Sequence, residues 1–190
     1  MGHMLRVHVV VTSTRPGRLG LPIAQWFLEQ ARQHGKLEAE LVDLKEIALP
    51  AMDEPKHPRF KKYEHEHTKR WAAKVAEADA FVFVTPEYNY SGPPALLNAF
   101  DYLYEEWTYK PVAFVSYGGV SGGVRSVQMT KLTVTALKMM PLPEGVIIPW
   151  IGKLLDEHHV FHGGEAFDQA AVVMLDELTR WAGALKTLRS

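Results

Sequence analysis

The sequence contains no cysteine. Disulfides, thiolate nucleophiles, iron–sulfur clusters and Cys-ligated zinc are therefore excluded. An excess of one charge is also lacking. The 190 residues carry a formal net charge of −1 with no long basic or acidic block, so nothing recommends nucleic acid or an anionic membrane as a partner. No apolar run approaches membrane-spanning length, and the N-terminus lacks a signal peptide's apolar core, so a cytoplasmic protein is expected. Two nucleotide-binding signatures are missing as well. GxxxxGK[ST] does not occur, and GxGxxG does not follow the first apolar run, which argues against a nucleoside-triphosphatase loop and a tightly held Rossmann-type dinucleotide. Met1-Gly2-His3 ahead of Met4 reads as a cloning remnant, leaving 4–190 as one domain without a linker or composition shift.

What is present is a regular alternation. Leu5–Val11, Glu38–Leu44, Ala80–Val84, Pro111–Ser116 and Glu144–Pro149 read as strands, most of them continuous and apolar as in a parallel sheet buried on both faces. Helical periodicity follows at Leu21–His34, from about Lys61 to Glu77, at Pro94–Tyr104, Val124–Met139 and Phe167–Leu188. In the third of these, Leu96, Leu97, Phe100 and Leu103 form one apolar stripe. Glu46–Phe60, with Pro50, Pro55 and Pro58, is a long irregular connection. Right-handed crossovers of this length predict an α/β, three-layer doubly wound sheet with five parallel strands in the order 2-1-3-4-5. Its ligand loops belong at the carboxyl ends of the strands.

Three loops should meet there. The first, Ser13 to Gly20, offers hydroxyls, Arg15, Arg18, two glycines and a following helix N-terminus, which suits a phosphate. A capped helix with exposed arginines is the plainer reading of the same segment. The second, Pro86-Glu87-Tyr88-Asn89 and the turn beyond it, sets two tyrosines beside an acid and an amide. The third, Ser116 to Gly123, has two glycine pairs, backbone that can lie against a flat aromatic ring or serve as a flexible turn. An anion seat with two loops suited to a planar ring matches the shape of flavin mononucleotide (FMN).

The segments TSTRPGRLG, TPEYNYSGPPALLNAFDYL and SYGGVSGGVR resemble, in order and spacing, the three signatures of the NADPH-dependent FMN reductase family. The resemblance covers nearly the whole chain. It implies a flavodoxin-like fold with FMN as cofactor, NADPH or NADH as transient hydride donor, and ping-pong transfer to a quinone, flavin, azo compound or similar small acceptor. It places Ser13, Arg15, Arg18 and Gly20 on the phosphate positions. Pro86, Glu87, Tyr88 and Asn89 fall on the ribityl and ring loop, and Ser116, Gly118, Gly119, Gly122 and Gly123 on the ring-edge loop. A homodimer or homotetramer is implied too, with Trp107, Tyr109, Trp150 and Phe161 as candidates for covering the ring from a second chain; core packing accounts for them as well. Thr12, Pro94 and Leu97 depart from the family pattern.

In this reading the flavin carries the chemistry and no catalytic side chain is needed. Glu87 reads first as a carboxylate that orients its loop or faces solvent, with a proton donor as the alternative. A non-enzymatic flavin carrier or redox sensor is the rival reading, against which the near-zero net charge argues. No metal site is expected. His57, His65 and His67, and His158, His159 and His162, show no recognised ligand spacing.

Overall fold

A computed structural model describes residues 4–189. Met1–His3, read above as an appended remnant, and Ser190 lie outside the described residues. Five strands form one parallel sheet: β1 (Leu5–Val11), β2 (Leu37–Asp43), β3 (Ala80–Pro86), β4 (Pro111–Tyr117) and β5 (Met140–Ile148). Their order is β2-β1-β3-β4-β5, as the alternation predicts. The helices are α1 (Gly20–His34), α2 (Leu44–Ile47), α3 (Glu66–Glu77), α4 (Pro94–Asp101), α5 (Val124–Ala136) and α6 (Glu165–Lys186). Among the described residues, no helix is long and apolar enough to cross a membrane.

Strand side chains alternate between the faces, so each central strand feeds two cores. Val7, Val9 and Val11 pack with Ile23 and Phe27 of α1 and with Leu175 and Leu178 of α6. On the other face Val10, Phe81, Phe83 and Phe114 meet Trp71, Phe100 and Trp107. The Trp107 ring centroid lies 5.0 Å from that of Phe81 and 5.3 Å from that of Phe100, both edge-to-face. Trp107 is thus a core residue and cannot cover a neighbouring chain. Phe161 is likewise buried, against Trp26 at 5.1 Å, whereas Tyr109 and Trp150 are exposed.

Several element boundaries differ from the sequence reading, and at the starts of α3 and β5 the physical reason is visible. α3 starts at Glu66 rather than Lys61, because the Glu54 carboxylate accepts from Glu64 N at 2.9 Å and His65 N at 3.0 Å, fixing the chain ahead of the helix. Lys61 meanwhile ends a 3-10 turn, Pro58–Phe60, in a left-handed conformation. β5 begins at Met140, not Glu144. It is an edge strand, where Pro141 and Pro143 can lack donors without breaking an interior ladder. α4 ends at Asp101, and of the expected stripe Leu96, Phe100 and Leu103 are buried while Leu97 is 52% exposed.

Register decides where the loops go. Val11 pairs with Val84, and Thr85 with Ser116, so β1, β3 and β4 finish level at one edge. Thr12 continues the tie, its N–H and hydroxyl donating to Val84 O at 3.2 and 3.0 Å. That double bond gives a physical role to the threonine that departs from the family pattern.

Candidate functional site

The three loops close on a cleft of about 240 Å³ at the carboxyl edge, lined by Arg15, Arg18, Glu87, Tyr88, Tyr117 and Gly118 among others. One hydrogen bond ties the first loop to the second: Ser13 Oγ and the Tyr88 hydroxyl lie 2.7 Å apart. Ser13 Oγ also accepts from Arg15 N at 3.4 Å. α1 begins with no side-chain cap and no acid in its first turn. Its unpaired N–H groups and positive dipole end therefore favour an anion. The Arg15 side chain is exposed and makes no hydrogen bond or ion pair with any described residue. Gly17, at φ 68°, has open space where a Cβ would stand.

Arg18 lies differently from its expected role. Its Nη2 is bonded to the Asp43 carboxylate, which also caps α2 by accepting from Lys45 N at 2.9 Å. Arg18 still lines the cleft, and its Nε is a buried donor without a partner. Gly20 is needed for another reason: a Cβ there would stand 2.7 Å from the Tyr117 hydroxyl. Burial, with Tyr88 nearby, pushes the Tyr117 phenol well above its ordinary value despite the two arginines, so it stays a protonated donor.

The second loop is a tight turn closed by Tyr88 N to Ser91 O at 2.8 Å and Ser91 N to Tyr88 O at 3.0 Å. Its central residues, Asn89 and Tyr90, have φ of 51° and 70°, the pattern of a type I′ turn. Asparagine tolerates this conformation, whereas tyrosine pays roughly 1–2 kcal/mol for it. The Arg125 guanidinium, 4.0 Å from the Tyr90 ring centroid, helps to hold it. Arg125 also reaches Glu87 Oε1 at 2.5 Å, and Ser121 Oγ donates to Glu87 Oε2 at 2.9 Å. Burial opposes ionisation of Glu87, but these two bonds and the guanidinium charge outweigh it and hold the carboxyl below its ordinary value. Glu87 is thus an ionised brace between the second and third loops, not a poised proton donor.

In the third loop, Gly118 and Gly119 accept from Ile151 N and Trp150 N at 3.2 and 3.0 Å. Gly119 has open space on its side-chain side. Gly122 and Gly123 are buried structural residues. At φ 83°, a Cβ on Gly123 would stand 2.8 Å from Tyr117 O. Ser116 is buried within β4, its Oγ without a partner. Pro86 ends β3 and sets the level of the second loop.

The residues therefore fit a phosphorylated planar cofactor. The cleft is lined by Arg15, Arg18 and Leu19 from the first loop and by Gly118 from the third, and α1 starts uncapped beside it. Sequence reasoning singles out neither the Tyr117 nor the Arg125 side chain, although both stand within the SYGGVSGGVR segment.

A larger hollow of about 720 Å³ adjoins this cleft, sharing Arg15 and Tyr88 and running past Asn89 and Leu97 to Met129. Asn98 of α4 has a structural role within this chain: its Nδ2 donates to Pro50 O at 2.7 Å and its Oδ1 accepts from Met52 N at 2.9 Å. The long 46–60 connection is thereby pinned to α4. The first histidine group serves the same connection. His67 Nε2 lies 2.9 Å from Asp53 Oδ1, His65 stacks on His67 at 5.2 Å, and His57 Nδ1 accepts from Arg59 N. In the second group, His162 pairs with Asp156 at 2.8 Å on the surface.

The profile of the NADPH-dependent FMN reductase family matches residues 5–150. An NAD(P)H-dependent FMN reductase of Schizosaccharomyces pombe is 43% identical over 140 residues, 73% of this chain and 70% of that protein. A quinone reductase of Pseudomonas putida is 31% identical over 156 residues, 77% of this chain and 80% of that protein. Among solved structures, the flavoenzyme NAD(P)H:(acceptor) oxidoreductase FerB of Paracoccus denitrificans superposes with a TM-score of 0.74 at 24% identity, covering 95% of this chain and 98% of that one.

Proposed function

The chain belongs to the NADPH-dependent FMN reductase family, and from that premise we propose that its three rim loops hold FMN and present it in turn to NAD(P)H and to a quinone or azo-type acceptor. The observation that carries this reading is the convergence of all three loops on one cleft. FMN held there would supply the redox chemistry, a two-electron exchange between NAD(P)H and the acceptor.

The chain's own residues do four things. Arg15, the Arg18 Nε–H and the start of α1 bind the phosphate. Gly119, lacking a side chain, lets the backbone lie along the ring edge, while Gly118 holds the loop to β5 by donating its N–H to Ile148 O at 3.2 Å. The Glu87–Arg125–Ser121 group fixes the second and third loops against each other. Ser13 and Tyr88 keep the first loop in register with the second. No side chain need act as nucleophile or base. One open face serving both substrates gives ping-pong kinetics.

The 720 Å³ hollow beside the cleft, with Leu97 and Met129 on its walls, suits a flat apolar acceptor such as a quinone. It supports a quinone or azo compound over a charged acceptor. Residues 4–190 act in this reading as a single FMN-binding domain. Leu132 of α5 is exposed as well, and Val120 and Trp150 lie exposed at and beside the third loop. This apolar surface supports a homodimer or homotetramer that shelters the ring.

The test is the absorbance spectrum of purified protein, followed anaerobically. A yellow protein that is bleached by NADPH and regains colour when a quinone is added supports the reading. A protein that stays colourless in excess FMN, or a bound flavin that neither NADPH nor NADH bleaches, contradicts it.

A further inference from the structure

Away from the rim, three donor side chains converge on the sheet face covered by α3. His8 of β1 and Glu40 of β2 are register partners, so their side chains leave the same face side by side. Glu77, the last residue of α3, reaches the same point. One ligand atom from each of the three lies within 4.8 Å of the others, and this is the one such grouping of three among the described residues. Tetrahedral zinc with bonds of about 2.0–2.2 Å needs donors roughly 3.3 Å apart. Small side-chain rotations of the two glutamates cover the difference.

The decisive observation is His8. It is 1% exposed, and its Nε2 is buried without a hydrogen-bond partner, 3.4 Å from Glu40 Oε2. Native structures rarely leave a buried polar atom unsatisfied without a reason. Phe81 holds the ring edge-to-face, with centroids 6.0 Å apart. The two carboxylates already share a cation: Lys74 Nζ donates to Glu40 Oε1 and to Glu77 Oε2, both at 2.8 Å. The lysine neutralises the acids but leaves the imidazole nitrogen unsatisfied.

We propose that His8, Glu40 and Glu77 bind a divalent cation of the zinc class, which displaces the Lys74 ammonium and satisfies the orphaned imidazole nitrogen. One imidazole and two carboxylates suit zinc and its first-row neighbours rather than calcium or magnesium, which prefer all-oxygen shells. Three protein ligands leave the fourth position to water. His8 lies three residues before the end of β1, about 10 Å along the strand below the rim. The ion therefore clamps β1, β2 and α3 together without touching the flavin cleft. β1 reads in sequence as a continuous apolar strand, which hides this histidine, and neither acid is its neighbour in the chain.

The test is calorimetric titration of EDTA-treated, FMN-loaded protein with zinc chloride, repeated with cobalt(II) to read the coordination spectrum. The expected result is one ion per chain, with a rise in Tm. Glu77→Gln and His8→Gln should lose that ion while the flavin absorbance shows that the protein remains folded and loaded. Should His8→Gln fail to fold, the partly exposed Glu77→Gln carries the test. Lys74→Met should tighten binding about tenfold, by removing the internal competitor. The proposal is overturned if Glu77→Gln titrates like the unmodified protein, the zinc then sitting only on surface histidines such as His162. It is equally overturned if Lys74→Met leaves the affinity unchanged or weakens it.

Discussion

The two edges of this sheet carry polar groups in opposite ways. At the amino edge there is a hollow of about 690 Å³, larger than the rim cleft, and it is lined by charge. Yet its charges largely answer one another, although Arg189 Nε is a buried donor without a partner. Asp79 accepts from Arg6 N at 3.0 Å and from Arg189 Nη2 at 3.0 Å, and Lys186 lies 3.2 Å away. Lys110 donates to Val75 O at 2.7 Å, closing the end of α3. At the carboxyl edge, by contrast, α1 starts uncapped, Arg15 is unpaired, Arg18 Nε is orphaned and Tyr90 is held at positive φ. Size does not separate the two edges; at the amino edge the acid pairs with the cations around it, while the carboxyl edge keeps an uncapped helix start and an unpaired arginine. One edge uses its polar atoms to close the fold, and the other leaves them for a ligand.

The sharpest way to break this contrast is to strain the rim. Gly123→Ala forces a side chain at φ 83° against the Tyr117 backbone. It should cost the third loop about 3 kcal/mol and weaken FMN binding about a hundredfold, read by quenching of FMN fluorescence. The matching change at the other edge is Asp79→Ala, which leaves Arg6 N and two cations without their acceptor. Denaturant unfolding should register a loss of about 2 kcal/mol, with FMN affinity unchanged. If Asp79→Ala released flavin as Gly123→Ala does, the division between the edges would be wrong.

Two smaller effects sharpen it. Glu87→Gln and Arg125→Ala should each raise the FMN Kd about fivefold, roughly 1 kcal/mol. The double variant should fall short of the sum of the two, because they share one bond while Arg125 also holds Tyr90 and Glu87 also holds Ser121. At the amino edge the prediction concerns pH. Burial, with Arg189 adding to it, lowers the Lys110 ammonium to about 7 from 10.5. Between those values the unfolded chain holds a proton that the folded chain has released, so this group makes stability rise with pH from about 7 upward. The contribution is lost as pH falls through 7. Lys110→Met should flatten that slope in unfolding curves collected across the window, and leave FMN affinity unaltered.

Much of this was legible in the chain. Leu5–Val11, Ala80–Val84 and Pro111–Ser116 are apolar without interruption, and a sheet covered on both faces is what such runs build. The three loops announced themselves because glycines, arginines and a Pro-Glu-Tyr-Asn stretch follow those strands directly. What stayed hidden depends on residues brought close only by folding. Nothing adjacent to Arg18 tells that Asp43 takes its guanidinium. Glu54 delays the start of α3 by meeting Glu64 and His65 across a loop. Arg125 lies on α5 beyond the glycines, and its claim on Glu87 is visible only once β3 and β4 are side by side. Leu97 fits the helical stripe by spacing, yet it points outward because α4 is covered on one side only.

The central claim is that ligand binding belongs to the carboxyl edge, where α1 starts uncapped and Arg15 stands unpaired. Amide chemical shifts of the flavin-free protein, followed while FMN is added, test it most directly. The account predicts saturation at one FMN per chain, with shifts concentrated in 12–20, 86–92 and 116–125. Shifts clustered instead around Asp79, Lys110 and Arg189, or no shifts at all in excess FMN, would contradict it.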